Sequence, residues 1–192
     1  MNTRAGFALT LFLAVCLVFI SVVASVSAYP AGPPPGVTGG FGEKTCNQTG
    51  CHAGYELNAG KGLGLGDLEI SGLPKEYQSG KPYDVKMTLT HASADRGAFG
   101  FQLAARAKQS GGQAGEFKPK GTGTQVVPEK GIQYVEQTLE GALSNVFEFT
   151  WIAPAASVGE IVVNAAGNAA NGDGSTTGDY IYSTSITVSP AP

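Results

Sequence analysis

Residues 83–91 read Tyr83-Asp84-Val85-Lys86-Met87-Thr88-Leu89-Thr90-His91. Tyr83, Val85, Met87, Leu89 and His91 share one parity, and Asp84, Lys86, Thr88 and Thr90 share the other. Alternation with period two is the mark of a strand with one face buried and one wet. The same pattern recurs at Phe147, Phe149 and Trp151, set against Val146, Glu148 and Thr150, and at Phe99, Phe101 and Leu103. Residues 160–166 (EIVVNAA) and 180–188 (YIYSTSITV) are β-branched and aromatic, the composition of strands. Residues 102–109 read as strand rather than helix. Residues 124–127 and 132–139 form a further pair around Pro128-Glu129-Lys130-Gly131, a good turn sequence. About eight short strands separated by Gly, Pro and Asn predict an all-β fold, an antiparallel β-sandwich.

Composition agrees. The chain has 192 residues, 28 of them Gly, and each Gly inside a helix costs about 1 kcal/mol relative to Ala. A helical bundle is thereby excluded. Charged residues make up 14%, against about 25% in an average chain, yet 42% hydrophobic content supports a packed core rather than disorder. A net charge of −3 without Lys/Arg runs speaks against nucleic acid and anionic membrane surfaces as partners.

Three regions are expected along the chain. Residues 1–28 read as a secretory signal peptide: Arg4, an apolar run from Phe7, then Val26-Ser27-Ala28 before Tyr29-Pro30. Residues 29–65 are a Gly/Pro-rich segment, extended at its start, and residues 66–192 are the sandwich. Cleavage after Ala28 leaves 164 residues and removes Arg4, taking the net charge from −3 to −4. The expected destination is an exported one (periplasmic, extracellular or cell surface), with no membrane span after cleavage.

Cys46 and Cys51-His52 carry the sharpest chemical signal. Haem c attachment uses C-x-x-C-H: two thiols bond the vinyl groups and the following His ligates iron. Here four residues separate the cysteines. A longer loop could still reach both vinyls, with His52 on the iron; a Cys46–Cys51 disulfide in an oxidising compartment is the other reading. The iron would be left open on its second side or take His91, the only other His; Met87, the only Met after residue 28, reads as core packing. A separate candidate site, for Ca²⁺, lies in the Gly-rich loop 168–179, where Asn171, Asp173, Ser175 and Asp179 crowd oxygen ligands; the same residues also build turns. Arg96, between Asp95 and Gly97, reads as a solvated turn residue. No nucleophile elbow or metalloprotease helix is present, so no catalytic constellation is assigned and an enzyme is not expected.

The chain resembles the Reeler (reelin-type) domain, and especially its bacterial relatives, the choice-of-anchor V domains. The stretches that carry the resemblance are GEKTC (42–46), GCHAG (50–54), ISGLPKEYQSGKPY (70–83), RGAFGFQL (96–103), TQVV (124–127), YVEQT (134–138), FTWIAP (149–154) and AAGNAANGDGSTTGDYIYST (165–184). The resemblance implies an extracytoplasmic, Ig-like β-sandwich. Bacterial members often carry Cys-x-x-Cys-His after the Gly/Pro lead-in, so it also implies haem c at Cys46, Cys51 and His52. Relatives often have His where this chain has Gln137. Two functions follow as expectations. One is an electron-transfer or redox-partner protein with covalent haem c; the other is a secreted binding or adhesion module with a Cys46–Cys51 disulfide and a surface protein partner.

Overall fold

The computed structural model describes residues 29–48 and 51–192. The expected signal peptide, residues 1–28, lies outside them. Ten strands form two sheets: β1 (Gly66–Ser71), β2 (Glu76–Tyr77), β3 (Pro82–His91), β4 (Ala98–Ala107), β5 (Glu116–Pro119), β6 (Thr124–Glu129), β7 (Ile132–Gln137), β8 (Val146–Ile152), β9 (Ile161–Ala170) and β10 (Tyr180–Pro190). One sheet runs β1-β3-β8-β5 and the other β2-β10-β9-β4-β7-β6. Every pairing is antiparallel except the short β2–β10 pair. The all-β sandwich expected from alternation is what forms, with three strands that the alternation did not mark, β1, β2 and β5, added. A single turn of helix, α1 (Ala59–Gly62), and a 3-10 turn at Gly141–Leu143 complete it.

The core lies where the alternation put it. Val85, Met87 and Leu89 on β3 and Phe147, Phe149 and Trp151 on β8 are all buried. Facing pairs Val85–Phe149 and Met87–Phe147 place them side by side. From the other sheet Phe101, Leu103, Val163 and Tyr182 pack against them. The Phe101 and Phe147 rings lie 4.4 Å apart, tilted by 38°, in close aromatic contact. Trp151 donates its indole N–H to Ala114 O at 3.0 Å, so its one polar atom is satisfied inside the core. The β6–β7 hairpin turns through Lys130 and Gly131, both at positive φ (49° and 80°). That geometry matches the right-handed twist of the flanking strands.

Strand β4 is buried on both faces from Phe101 to Ala105, and β9 is buried on its inner face and partly covered on its outer one. Their inner residues, Phe101, Leu103, Ala105, Val163 and Ala165, join the core. Their outer face carries small residues in register: Ala98 opposite Ala170, Gly100 opposite Asn168, Gln102 opposite Ala166. The Gly/Pro lead-in lies across this face. Gln102, fully buried, accepts at Oε1 from the backbone N–H of Gly36 and of Val37, both at 2.8 Å. Its Nε2 donates to Pro34 O (3.3 Å) and to Glu136 Oε2 (3.0 Å). Gln125 Nε2 donates to Ala31 O (2.6 Å), and Gln137 Nε2 to Tyr29 O (3.3 Å). Further along, Glu43 accepts from Tyr134 Oη at 2.6 Å and pairs with Arg106, whose guanidinium also lies over the Phe41 ring. A Pro-rich segment has no ladder of its own, and these side chains supply its backbone partners.

Replacing Gln102 by Leu should therefore free the lead-in before it harms the sandwich. The expected result is loss of hydrogen-exchange protection at the Gly36 and Val37 amides, with a stability cost of roughly 1–3 kcal/mol for buried groups left unpaired. Retained protection at both amides in that variant would contradict this account.

Candidate functional site

Between the lead-in and the outer face of β4 and β9 lies a cavity of about 290 Å³. Its floor is Ala98, Gly100, Asn168 and Ala170; Pro30, Pro33, Pro34 and Val37 of the lead-in form one wall. Cys46, Cys51 and His52 form a second wall, and residues 172–179 a third. The small floor residues are what leave the space. A Cβ on Gly100 would come within 3.0 Å of the Gln137 amide. That amide sits where the β4–β7 ladder ends: its Oε1 accepts from Phe101 N–H at 2.8 Å, after the last backbone pair at Gln102–Glu136.

The Cys46–His52 loop is closed by its own backbone. Cys46 O accepts from Gln48 N–H and His52 N–H, each at 3.1 Å, and Gln48 O accepts from Cys51 N–H at 2.9 Å. His52 reaches across the cavity rim to Asp179, 127 positions away, with Nδ1 to Oδ2 at 2.6 Å. A carboxylate only accepts, so Nδ1 carries the proton and, in the neutral ring, Nε2 presents a lone pair. Asn168 Nδ2 lies 3.3 Å from that Nε2 and 3.4 Å from Nδ1, near-equidistant from both ring nitrogens. Asp179 is itself buried, and its Oδ1 accepts from Asn171 N–H at 3.0 Å.

Arg96 fixes the loop that carries Asp179. It is no solvated turn residue: its side chain is 7% exposed, and Nη1 donates to Gly178 O (2.7 Å) and Ala169 O (3.1 Å). Its guanidinium also sits 5.5 Å from the Tyr180 ring centroid. Sequence reasoning missed this anchor, because its acceptors are carbonyls more than 70 positions away.

The calcium expectation is corrected by the use to which these oxygens are put. Asn171 Oδ1 accepts from Asp173 N–H (3.1 Å), Asp173 Oδ1 from Ser175 N–H (2.7 Å), and Ser175 Oγ from Thr177 N–H (3.1 Å). Asp179 is turned to His52 and Asn171. The loop is a chain of side-chain-to-backbone turns.

The haem expectation is corrected as well. Among the described residues no group of three or more His, Cys, Asp or Glu is placed to hold a metal ion. His91, the expected second iron ligand, is on β3 against Tyr180 and Tyr182 and does not line the cavity. Gln137 does line it, with both ends of its amide committed. The cavity stands at the small end of ligand sites, which run roughly 300–1,000 Å³. With no metal-holding group among the described residues, and His52 Nδ1 committed to Asp179, the donor set does not fit haem, and the redox-carrier reading falls with it. Cys46 and Cys51 are free thiols in place of the expected disulfide; the loop's backbone bonds close it without a covalent staple.

Burial pushes the Cys46 thiol up to about 12, with its neighbour Cys51 adding to the shift. A neutral thiol is a weak nucleophile and serves here as apolar wall. At the far end of the lead-in's polar seam, burial raises Glu136 above the usual carboxyl value, opposed by the hydrogen bonds from Gln102 and Gln125.

No family model matches the chain, and no curated protein matches it. Among solved structures, the human F-spondin reeler domain is similar at 22% identity over 66% of this chain and 88% of that one, with a TM-score of 0.49. The Reelin-N domain of F-spondin is similar at 22% identity over 67% and 87%, also with a TM-score of 0.49. A cohesin module from a Clostridium perfringens family 33 glycoside hydrolase is similar at 13% identity over 66% and 96%, with a TM-score of 0.46. At these identities the likeness is one of fold. No helix among the described residues is long and apolar enough to cross a membrane.

The raised thiol gives a direct check. A thiol near 12 holds roughly a thousandfold less thiolate at pH 8 than a free cysteine near 8.5. Alkylation of the folded protein by iodoacetamide at pH 8, read by peptide mass spectrometry, should leave Cys46 slow by about that factor relative to urea-unfolded protein. Equal rates in the two states would overturn the assignment.

Proposed function

We propose that this protein is an exported binding module of Reeler-like form, related in kind to choice-of-anchor V domains, that holds a small, mostly apolar ligand without transforming it. The observation that carries the reading is the cavity of about 290 Å³ between the lead-in and the β4–β9 face. Concave, mostly apolar space with a few polar groups converging on it is the usual form of a ligand site. Sheet surface alone would not create it, because the floor residues would be solvated. The lead-in converts a flat face into a walled one, and its prolines lose little chain entropy on being fixed there. The neutral Cys46 thiol argues against thiolate catalysis, and Asp179 holds His52 in place. Export supplies the setting in which such a module meets ligands from outside the cell.

The test is equilibrium titration with N-phenyl-1-naphthylamine, an uncharged fluorescent probe, on residues 29–192. Saturable one-to-one binding is expected. Ala170→Phe, which fills the floor, should weaken it at least tenfold while the far-ultraviolet circular dichroism stays that of a β protein. Absence of saturable binding to the parent chain would reject the reading, as would unchanged affinity in a folded Ala170→Phe protein.

A further inference from the structure

His91 stands half-buried at the end of β3, outside the cavity. A short line of hydrogen bonds nevertheless joins it to the wall made by residues 172–179. Ser93 N–H donates to His91 Nδ1 at 3.1 Å. A backbone N–H only donates, so Nδ1 is the acceptor and the neutral ring carries its proton on Nε2. Ser93 O accepts in turn from Arg96 N–H at 3.4 Å. Arg96 then holds Gly178 O and Ala169 O, and with them the loop that bears Asp179.

The first atom of that line cannot take a proton in place. An N–H at Nδ1 would face the Ser93 N–H, two donors with no acceptor between them, and their bond would be lost. Nor would the ring's other end share the new charge, because Nε2 is buried and has no partner among the described residues. The surroundings oppose a cation as well. In the loop that follows β3, Arg96 repels it, and Asp95, which attracts it, is exposed and already paired with Arg96. From β10 come the Tyr180 and Tyr182 rings, with centroids at 4.7 and 6.4 Å. From β1, Gly66 is the partner of His91, and the neighbouring Asp67 is paired with Lys61. Burial first and Arg96 second hold His91 below the ordinary histidine value.

We infer that His91 is an acid-operated latch on the cavity: its protonation frees Ser93 and Arg96, loosens the 172–179 wall and releases the ligand. This rests on the binding reading above and adds its control. The neutral ring belongs to the held wall. The hold is therefore complete above the ordinary histidine value of about 6.5 and fades as pH falls below it. His52 works in the opposite sense, since a charge on its ring would strengthen its bond to Asp179.

The test is the affinity for N-phenyl-1-naphthylamine, which stays uncharged from pH 7.5 to pH 5. The parent chain should bind it about fivefold or more weakly at pH 5 than at pH 7.5. His91→Asn keeps a side-chain oxygen within reach of Ser93 N–H, as asparagine does in turns, and takes no proton. Its affinity should change less than about twofold over the same range. Hydrogen exchange of the parent chain supplies a readout that needs neither variant nor probe: protection factors at the Ser93 and Arg96 amides should fall between pH 7.5 and pH 5. Saturable binding with the same affinity at both pH values overturns the inference and leaves the binding reading intact. A dependence that persists in folded His91→Asn overturns it too, by moving the effect to another group such as Glu136. Absence of binding at pH 7.5 rejects the binding reading, and constant protection at Ser93 and Arg96 rejects the latch by itself.

Discussion

A strand buried on both faces needs every one of its polar groups accounted for, and the structure depends on how β4 meets that demand. The inner side of β4 faces the sandwich core; the outer side faces the lead-in through Gln102. One primary amide bonds two backbone N–H groups, a carbonyl and a carboxylate, and so joins a segment without secondary structure to a sheet 66 positions away. Remove that amide and the lead-in has no reason to lie flat. Without the lead-in, Ala98, Gly100 and Ala170 are merely a solvated patch of small side chains.

The site inherits its rigidity from the same economy of partners. His52 is oriented by Asp179, Asp179 by the loop that bears it, and that loop by Arg96 through two carbonyls. Each link is a side chain whose polar atoms are spent on holding the next. What remains unspent within the cavity is small in number, and that scarcity gives it chemical character. A mostly apolar hollow whose charged groups are already paired favours uncharged, apolar occupants.

The sandwich was legible from residues because β3 and β8 each bury one face, so their apolar side chains alternate. The β6–β7 hairpin was legible from Pro128-Glu129-Lys130-Gly131, although Pro128 and Glu129 continue β6 and only Lys130 and Gly131 make the turn. The outer layer was not. In residues 98–107, AFGFQLAARA, the parity opposite Phe99, Phe101 and Leu103 carries Gln102 and Arg106 among small residues and so reads as a wet face, although Gln102 is buried; alternation is silent about a second covering. Gly100 was the available clue, as an isolated Gly in a strand marks a close approach. The Cys46–Cys51–His52 segment misled for a related reason. Local spacing shows which side chains start near one another, while His52 is governed by Asp179, 127 positions on. The 171–179 loop misled because the residues that ligate calcium are also those that bond their own backbone.

The strand order fixes when this architecture can come into being. β4 lies between β9 and β7, and its full-length ladder is with β9, Ala98 pairing with Ala170 and Ala107 with Ile161. The next strand, β10, is the last of the ten. The centre of the six-stranded sheet is thus assembled from residues far apart in the chain, a topology that closes long loops before it is rewarded. A ribosome that has released residues 29–150 has made both the lead-in and the strand it covers, but not β9, whose Asn168 and Ala170 complete the cavity floor. The hollow cannot close before β9 has been made, so lead-in and β4 must wait for a partner synthesised about sixty positions after β4.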